Sequence, residues 1–532
     1  MSTKDTSAEG EEEQYTTIQF RSSEGDVVGA PLVVPKNFTS VDLEQVLNQT
    51  LENTDAVPYT FWVKGKEIKG TIGESLIKGG IASSETTTPV TYLPQALFRV
   101  LPVTRCTAEL PGHEAPVLTM QFSPDGSILA TGSGDKTMRL WDMYTSTPLE
   151  TCSGHRSSVL SVKWSPDGEK VASGGEDGDV RIWDRDGKQT KLFHGHSKWI
   201  NGLSWEPFHL NPQCQLIVSA SKDTTAKIWN VSNGRCEATL SGHKQSVSCI
   251  CWGGRGVIYT GSHDGNIFMW DGATGAHLGQ FGRQRSHSHW VNTLAVSTDY
   301  ALRVGPYDED GQKKTVLSEA REDAWWRYKN CVEGEGMGRN RSKKDSSSSS
   351  ATPSSSSSPL DASSSSSSSS SSTSPLSATA MASSLSSCER VLTGSDDFTL
   401  CLWDPRTPKD PIKRMTGHQG VVNCVSFSPD GRFIASASFD RTVRVWDGVG
   451  GGLVGVLRGH TGKCYMVSWS ADSRLILSCS QDSTAKVWSK KDMEFAHDLP
   501  GHSDEVYAID WSPDGERAAS GGKDKSVRIW RS

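Results

Sequence analysis

The chain has 532 residues, with 62 acidic against 55 basic side chains and a formal net charge of −7. This length allows a large core and more than one domain, and the mildly acidic balance excludes a uniformly basic nucleic-acid coat, though not a local basic patch. The 12 cysteines have neither the C-x-x-C nor the clustered Cys/His spacing of a zinc site, so we expect thiols in a reducing compartment. No apolar run approaches the length of about 18 residues that a membrane-spanning helix needs.

The first hundred residues differ in pattern from the rest. Residues 1–14 carry one Lys and five acids, which predicts a disordered acidic tail. Runs typical of strands follow at Tyr15–Ser22, Ala30–Val34, Tyr59–Val63 and Val90–Val100. Thr39 or Ser40 can cap a helix between the second and third runs, and Ile72–Ile77 is a second, short helical candidate. This order predicts a small ubiquitin-like, β-grasp domain over residues 15–100.

A repeated unit occupies most of the remaining chain. Its first landmark is a histidine, usually after glycine: His113, His155, His196, His243, His287, His418, His460 and His502. Its second is a bulky apolar residue nine positions later: Phe122, Trp164, Trp205, Trp252, Val296, Phe427, Trp469 and Trp511. Its third is a closing tryptophan preceded six residues earlier by an aspartate: Trp141, Trp183, Trp229, Trp270, Trp403, Trp446, Trp488 and Trp530. A period of about 40 residues with these landmarks is typical of four-stranded WD40 propeller blades.

The fold class is therefore mainly β, with an eight-bladed WD40 β-propeller over residues 101–532. The repeated His and Asp are expected to be joined by hydrogen bonds, and the repeated Trp to fill space between sheets. Because these side chains have a structural role, none is expected to be catalytic, and no nucleophile–base, phosphate-binding or metal-ligand motif accompanies them. The protein is predicted not to be an enzyme.

The fifth repeat carries an insertion at about residues 300–388. His287 and Trp403 are 116 residues apart, against 28 in five other repeats, so about 88 residues are added. Within them Thr315–Asn330 is expected to be helical and to dock on the propeller through Trp325 and Trp326. Residues 342–387 are mostly serine, a composition that cannot bury a core and is predicted to be disordered. The basic run at 339–344 is a candidate nuclear signal, although such runs are more often simply solvated.

The end of the chain indicates how the ring closes. Each blade needs a fourth strand after its closing Trp, but only Arg531 and Ser532 follow Trp530. We expect Thr104–Leu110 to supply this strand, which would remove an open sheet edge.

Aromatic residues in the loops after the repeated histidines are candidate partner contacts. Trp199 and Trp290 lie three residues after their histidines, and Tyr465 and Tyr507 lie five residues after theirs. Trp and Tyr are enriched at binding hot spots. The alternative is that the two Trp side chains are wedged between blades.

Several segments together resemble one family. They are Tyr92–Val100, Gly195–Pro207, Val291–Arg303, Gly394–Leu400, Arg414–Gln419 and Leu499–Gly515. These segments are similar to the Notchless family, whose members join a Notchless-type N-terminal domain to a WD40 propeller. The resemblance covers most of the chain except the acidic tail and the serine-rich insertion.

The resemblance implies a non-catalytic assembly factor of the large (60S) ribosomal subunit. In this family the propeller docks on pre-60S particles, among ribosomal proteins and rRNA, in the nucleus and nucleolus. The ubiquitin-like domain engages the metal-dependent adhesion site (MIDAS) of midasin, an AAA+ ATPase that remodels or releases the factor. An acidic side chain completes the coordination of the ATPase's Mg²⁺, and alignment places that role on Glu85. The sequence without the resemblance would describe Glu85 as an ordinary loop acid.

The resemblance further implies no cofactor of the chain's own, no membrane partner and a monomer. Rival interpretations are a related assembly factor with the same N-terminal domain, a WD40 signalling adaptor of the Notch pathway, and a ubiquitin-ligase substrate receptor. The eight repeats and the segments quoted above favour the Notchless family over the related assembly factor. Co-sedimentation with large-subunit precursors would separate it from the adaptor and the substrate receptor.

Overall fold

The computed structural model describes residues 15–21, 27–51, 59–63, 66–68, 72, 87–94, 100–283, 286–308, 311–313, 316–333 and 389–532. The predicted acidic tail, the candidate Glu85, the basic run at 339–344 and the serine-rich segment at 342–387 lie outside these residues, as does most of the helical candidate Ile72–Ile77. The chain divides into two compact units, Met1–Arg99 and Val100–Ser532. Among the described helices, none is both long enough and apolar enough to cross a lipid bilayer.

Within its described residues, the first unit has helix α1 (Ser40–Thr50) and a five-stranded sheet. Its strands are β1 (Tyr15–Arg21), β2 (Val27–Pro35), β3 (Tyr59–Val63), β4 (Lys66–Glu67) and β5 (Thr88–Pro94). The order across the sheet is β2-β1-β5-β3-β4, with β1 and β5 parallel and the other pairs antiparallel. This topology is the one expected of a β-grasp.

Helix α1 begins where its sequence predicts. The Thr39 amide and hydroxyl each donate to the Asp42 carboxylate over 2.8 Å, which satisfies the start of the helix. The helix buries Leu43 and Leu47 against Ile18 and Phe61 of the sheet. Alternation along β1, in which Ile18 and Phe20 are buried between more exposed neighbours, places the core on one face of the sheet.

The second unit is a ring of eight four-stranded antiparallel sheets. It begins with β6 (Arg105–Leu110). The first four blades contain β7 (Val117–Phe122), β8 (Ile128–Ser133), β9 (Thr137–Asp142), β10 (Thr147–Ser153); β11 (Val159–Trp164), β12 (Lys170–Gly175), β13 (Val180–Asp184), β14 (Gln189–Phe193); β15 (Ile200–Trp205), β16 (Leu216–Ser221), β17 (Thr225–Asn230), β18 (Arg235–Ser241); and β19 (Val247–Trp252), β20 (Val257–Ser262), β21 (Ile267–Asp271), β22 (His277–Phe281).

The last four blades contain β23 (Val291–Val296), β24 (Val391–Ser395), β25 (Leu400–Trp403), β26 (Lys413–Met415); β27 (Val422–Phe427), β28 (Phe433–Ser438), β29 (Thr442–Asp447), β30 (Leu453–Arg458); β31 (Cys464–Trp469), β32 (Leu475–Ser480), β33 (Ala485–Ser489), β34 (Glu494–Leu499); and β35 (Val506–Trp511), β36 (Arg517–Gly522), β37 (Val527–Arg531). The eighth blade is completed by β6, whose residues pair with β37 from Val527↔Leu110 to Arg531↔Arg105. The predicted closing strand is therefore confirmed.

The antiparallel order gives the ring two distinct faces. We call top the face that carries the loops before each first strand and the turns between second and third strands. The bottom face carries the turns between first and second strands, such as Ser165–Gly168 and Ser512–Gly515. The insertion of the fifth blade connects β23 to β24 and therefore lies on the bottom face.

The described part of the insertion packs across the bottom of several blades. Its helices are α2 (Asp299–Val304) and α3 (Leu317–Glu333), so the helix predicted at Thr315–Asn330 is confirmed with a small shift. The Tyr307 hydroxyl donates to the Asp167 carbonyl of the second blade over 3.0 Å, and Arg321 donates to the His209 carbonyl of the third blade over 2.8 Å. The Cys331 thiol lies 3.4 Å from the Pro429 carbonyl of the sixth blade. The insertion thus ties distant blades together.

Only one of the two tryptophans predicted to dock helix α3 does so. Trp325 packs in the core with Tyr328, at 5.5 Å between ring centroids, and near His209 at 5.6 Å. Trp326 is 42% exposed, so the prediction that it docks is wrong. Adjacent residues on a helix point about 100° apart, so both cannot face the same surface.

Candidate functional site: the top face of the propeller

A four-member hydrogen-bonded chain of His, Asp, Ser or Thr, and Trp, which we call the tetrad, recurs in every blade and fixes the top loops. In the third blade the His196 Nδ1 is 2.8 Å from Asp223 Oδ2, and its Nε2 is 2.8 Å from the Ser219 hydroxyl. The Trp229 indole donates to the same hydroxyl over 2.8 Å. The equivalent histidines of the other blades make the same contacts with Asp and with Ser or Thr. The predicted His–Asp bridges are therefore confirmed in all eight blades.

The hydroxyl member of this chain was missed in the sequence, although its position is regular. It lies ten residues before the closing tryptophan in all eight blades, at Thr131, Ser173, Ser219, Thr260, Thr393, Ser436, Ser478 and Ser520. Each hydroxyl is buried and accepts from the indole, so the whole chain is shielded from solvent. These groups hold the blade together and are not placed to meet a substrate.

A second regular contact presents one side chain per blade on the top face. The third residue after each histidine accepts, through its carbonyl, a hydrogen bond of 2.8–3.0 Å from the amide of a residue in the turn that carries the aspartate. The accepting residues are Pro116, Ser158, Trp199, Ser246, Trp290, Val421, Lys463 and Glu505. The backbone of this third residue is thus held in the same way in every blade, while its side chain differs from blade to blade. This arrangement is suited to recognition of a partner rather than to chemistry.

The two tryptophans among these positions are exposed. Trp199 is 41% and Trp290 is 44% exposed, so neither side chain is buried between blades, although Trp290 contacts the neighbouring blade. The Lys222 ammonium lies 3.7 Å from the centre of the Trp199 ring. The Trp290 ring stacks on His263 of the fourth blade, with centroids 4.4 Å apart and planes 8° from parallel. The two indoles are in the third and fifth blades, on either side of the fourth.

The two tyrosines meet on another part of the same face. Tyr465 and Tyr507 contact edge to face with centroids 5.4 Å apart. The Tyr465 hydroxyl donates to Glu505 over 2.8 Å, and the Phe439 ring contacts Tyr465 edge to face with centroids 5.9 Å apart. The structure therefore brings the tyrosines together and separates them from the tryptophans. Glu85 cannot be placed relative to either group because it lies outside the described residues.

The centre of the ring holds a cavity of about 280 Å³, lined among others by Lys163, Asp299, Arg303, Cys251 and Cys424. Burial raises the pKa of the Cys251 and Cys424 thiols. Both therefore stay protonated at neutral pH and are poor nucleophiles. The described residues contain no group of three or more His, Cys, Asp or Glu side chains placed to hold a metal ion.

Comparison with known families agrees with this architecture. The WD domain, G-beta repeat family matches eight segments at residues 104–142, 146–184, 187–230, 234–271, 370–404, 409–447, 451–489 and 493–531. The NLE (NUC135) domain family matches residues 16–76. Protein Notchless of Drosophila melanogaster is 43% identical over 423 residues, which cover 78% of this chain and 75% of that protein. The chain belongs to the Notchless family.

Two further relatives extend this Notchless-family assignment. The Notchless protein homolog of Arabidopsis thaliana is 41% identical over 82% of this chain and 80% of that protein. Ribosome assembly protein 4 of Saccharomyces cerevisiae is 42% identical over 81% of this chain and 78% of that protein. Among solved structures, the computationally designed Ika8 protein matches with a TM-score of 0.55 at 21% identity, covering 80% of this chain and 98% of that one. That likeness shows the fold alone.

Proposed function

We propose that this Notchless-family chain is a non-catalytic assembly factor of the large ribosomal subunit that acts in the nucleus and nucleolus. One observation carries the proposal: the 42% identity to a protein named Ribosome assembly protein 4 extends over 81% of this chain. The geometry supports a binding role for two reasons. The repeated His and Asp side chains are hydrogen-bonded to each other within the tetrads, and the exposed tryptophans of the top face lie at backbone positions that are fixed in every blade. The propeller would dock on pre-60S particles as a monomer, without a membrane partner.

The N-terminal unit would supply the contact with a midasin-type AAA+ ATPase. In this proposal Glu85 donates a carboxylate oxygen to the Mg²⁺ of the partner's MIDAS site, since a hard cation with an open position prefers oxygen ligands. The metal belongs to the partner, and the chain itself needs no cofactor. The support for Glu85 is its position before Tyr92–Gln95 in the family resemblance, where it is the one acid between Ser75 and Gln95.

Sedimentation tests the ribosomal role. Tagged full-length protein is expected to travel with large-subunit precursors in a sucrose gradient and to shift to the top of the gradient when the particles are dissociated. A protein that sediments alone, or with a membrane receptor complex as a signalling adaptor would, contradicts the role.

Binding to an isolated MIDAS domain tests the role of Glu85. Wild-type protein is expected to bind in Mg²⁺ and to lose binding in EDTA, while Glu85→Ala and Glu85→Asp bind weakly in both. Glu74→Ala is the matched control, because Glu74 is the nearest preceding acid in the sequence. Undiminished binding by Glu85→Ala would refute the assignment.

A further inference from the structure

The surface around the fourth blade combines two exposed indoles with positive charge. Trp199 and Trp290 flank this blade at equivalent backbone positions, each fixed by a carbonyl–amide hydrogen bond to the facing turn. Lys198, Lys222 and Lys244 are exposed in the loops beside them. We call these five residues, with His263, the blade 4 surface.

Each indole has one covered side and a substantial exposed area. The Lys222 ammonium covers one side of Trp199, and His263 lies flat against Trp290. His289 also lies 5.5 Å from the Trp290 ring, yet the two residues remain 41% and 44% exposed, so part of each indole is accessible to a base. The backbone hydrogen bonds and the contacts with Lys222 and His263 hold the indoles in place. Little conformational freedom of the indoles would therefore be lost when a base stacks on them.

The acids near this surface are already paired. The Asp396 carboxylate accepts from the Asn292 side chain over 2.6 Å and lies 3.4 Å from His289 Nδ1. The nearest tetrad aspartates, Asp223 and Asp264, are bonded to their histidines. The side chains of Asp223, Asp264 and Asp396 are only 9%, 6% and 20% exposed, so an approaching phosphate would meet the exposed lysine ammonium groups first.

The tyrosine group on the same face differs in the exposure of its acids. Tyr465 donates to Glu505, and Lys523 lies 3.3 Å from Asp504 and 3.9 Å from Glu505. These two carboxylates are 43% and 21% exposed, so they offset the lysines there and make that surface less suited to phosphates than the blade 4 surface. An acidic peptide would satisfy the lysines but would leave the two indoles without flat partners.

We propose that the blade 4 surface binds unpaired nucleotides of single-stranded RNA, with bases stacked on Trp199 and Trp290 and phosphates near Lys198, Lys222 and Lys244. Stacking on fixed aromatic side chains beside lysines is how proteins hold unpaired RNA without base-specific contacts. This inference rests on the proposed function, in which rRNA is among the ligands, and it assigns the RNA contact to one part of the top face.

The test measures binding of a fluorescein-labelled single-stranded RNA 20-mer to the purified full-length protein by fluorescence anisotropy. Trp199→Ala and Trp290→Ala are each expected to weaken binding by about 5- to 100-fold, while binding of a duplex of the same length changes little. Trp326→Ala is the matched control, because that indole is 42% exposed on the bottom face. Lys244→Gln is expected to lower the slope of log affinity against log salt by about 0.7 per lost phosphate contact.

Trp199→Phe and Trp290→Phe guard against effects on folding, since a smaller ring should retain part of the affinity. The inference is overturned if wild-type protein does not bind the single strand at low salt, or if the double alanine variant binds as wild type does. It is also overturned if the wild type binds an acidic peptide of equal charge as tightly as the RNA. Cosedimentation with ribosomal precursors by a protein that fails these tests would leave the proposed function standing and remove only the RNA assignment.

Discussion

Arg303 and Asp510 form a two-pronged ion pair although 207 residues separate them in the sequence. The Arg303 Nη1 donates to Asp510 Oδ1 over 2.8 Å, and the Phe122 amide donates to the same carboxylate over 2.8 Å. Arg303 belongs to the insertion of the fifth blade, Asp510 to the eighth blade and Phe122 to the first. This contact therefore links the insertion to the blades on both sides of the ring closure.

Removing the carboxylate of this pair should destabilise the propeller. Asp510→Ala leaves Arg303 charged with its side chain only 20% exposed, and loss of one partner of a buried pair costs about 3–5 kcal/mol. Chemical denaturation followed by circular dichroism measures the change. The control is Arg283→Ala, which breaks a pair exposed by 74% and 66% and should leave the midpoint unchanged. Equal midpoints for wild type and Asp510→Ala would contradict the bracing role.

The closing strand should be indispensable to the ring. A chain that starts at Val100 retains β6 and the hydrogen bond from the Thr104 amide to the Arg531 carbonyl of 2.8 Å, whereas one that starts at Gly112 leaves the edge of β37 unpaired. We expect the longer chain to unfold cooperatively near the temperature of the intact propeller. The shorter chain should unfold at a much lower temperature or aggregate. Scanning calorimetry of the two decides this, and equal transition temperatures would refute the closure.

Stability should fall as the solution is made acidic, because of the tetrads. Burial lowers the pKa of His196 and outweighs the opposing effect of its hydrogen bond to Asp223. As pH falls through about 6.5, this histidine is therefore protonated in the unfolded chain before it is protonated in the folded one, and the folded state loses stability. Burial opposes the ionisation of Asp177, but hydrogen bonds from His155 and the Arg156 amide outweigh it and lower its pKa to about 2. This contribution is lost below about pH 4.

The measurement is the thermal midpoint between pH 8 and pH 3, which should decline continuously and more steeply at the acid end. Asp440→Asn, which keeps the shape of a tetrad member, is expected to cost about 1–3 kcal/mol at pH 7 and to flatten the acid limb. A midpoint that rises between pH 7 and pH 5 would show that the tetrad histidines gain rather than lose proton affinity on folding.

The adjacent tryptophans of helix α3 should respond differently to substitution. Trp325→Ala removes a ring packed against His209 and Tyr328 and should lower the unfolding free energy by about 1–3 kcal/mol, whereas Trp326→Ala on the solvent side should change it by less than about 0.5 kcal/mol. Denaturant titration of both variants gives the comparison. Equal losses would mean that Trp326 also packs on the propeller.

The repeats made most of the propeller predictable because each landmark acts within its own blade. A histidine 22 residues before its aspartate meets it through one hairpin, so spacing alone predicts the His418–Asp440 contact. The Arg303–Asp510 pair has no such rule, because its partners come from an insertion and a distant blade. Exposure of Trp199 and Trp290 could not be decided either, since it depends on side chains from other loops, such as Lys222 beside Trp199 and His263 beside Trp290.

The role proposed for Glu85 as the Mg²⁺-coordinating acid rests on the resemblance to the Notchless family, and the propeller repeats give no information about it. Fold and family follow from periodic residues that hold the ring together, whereas the contact with an ATPase depends on one acid outside them. Separate variants therefore test the two parts of the chain.

The most direct measurement is the distribution of Glu85→Ala in a sucrose gradient when it replaces the wild-type protein in cells. We predict that Glu85→Ala enters large-subunit precursors and accumulates on them, because ATP-driven release needs the carboxylate, while Glu74→Ala distributes as wild type does. Release of Glu85→Ala from the precursors at the wild-type rate would contradict the proposed coupling between this carboxylate and the ATPase.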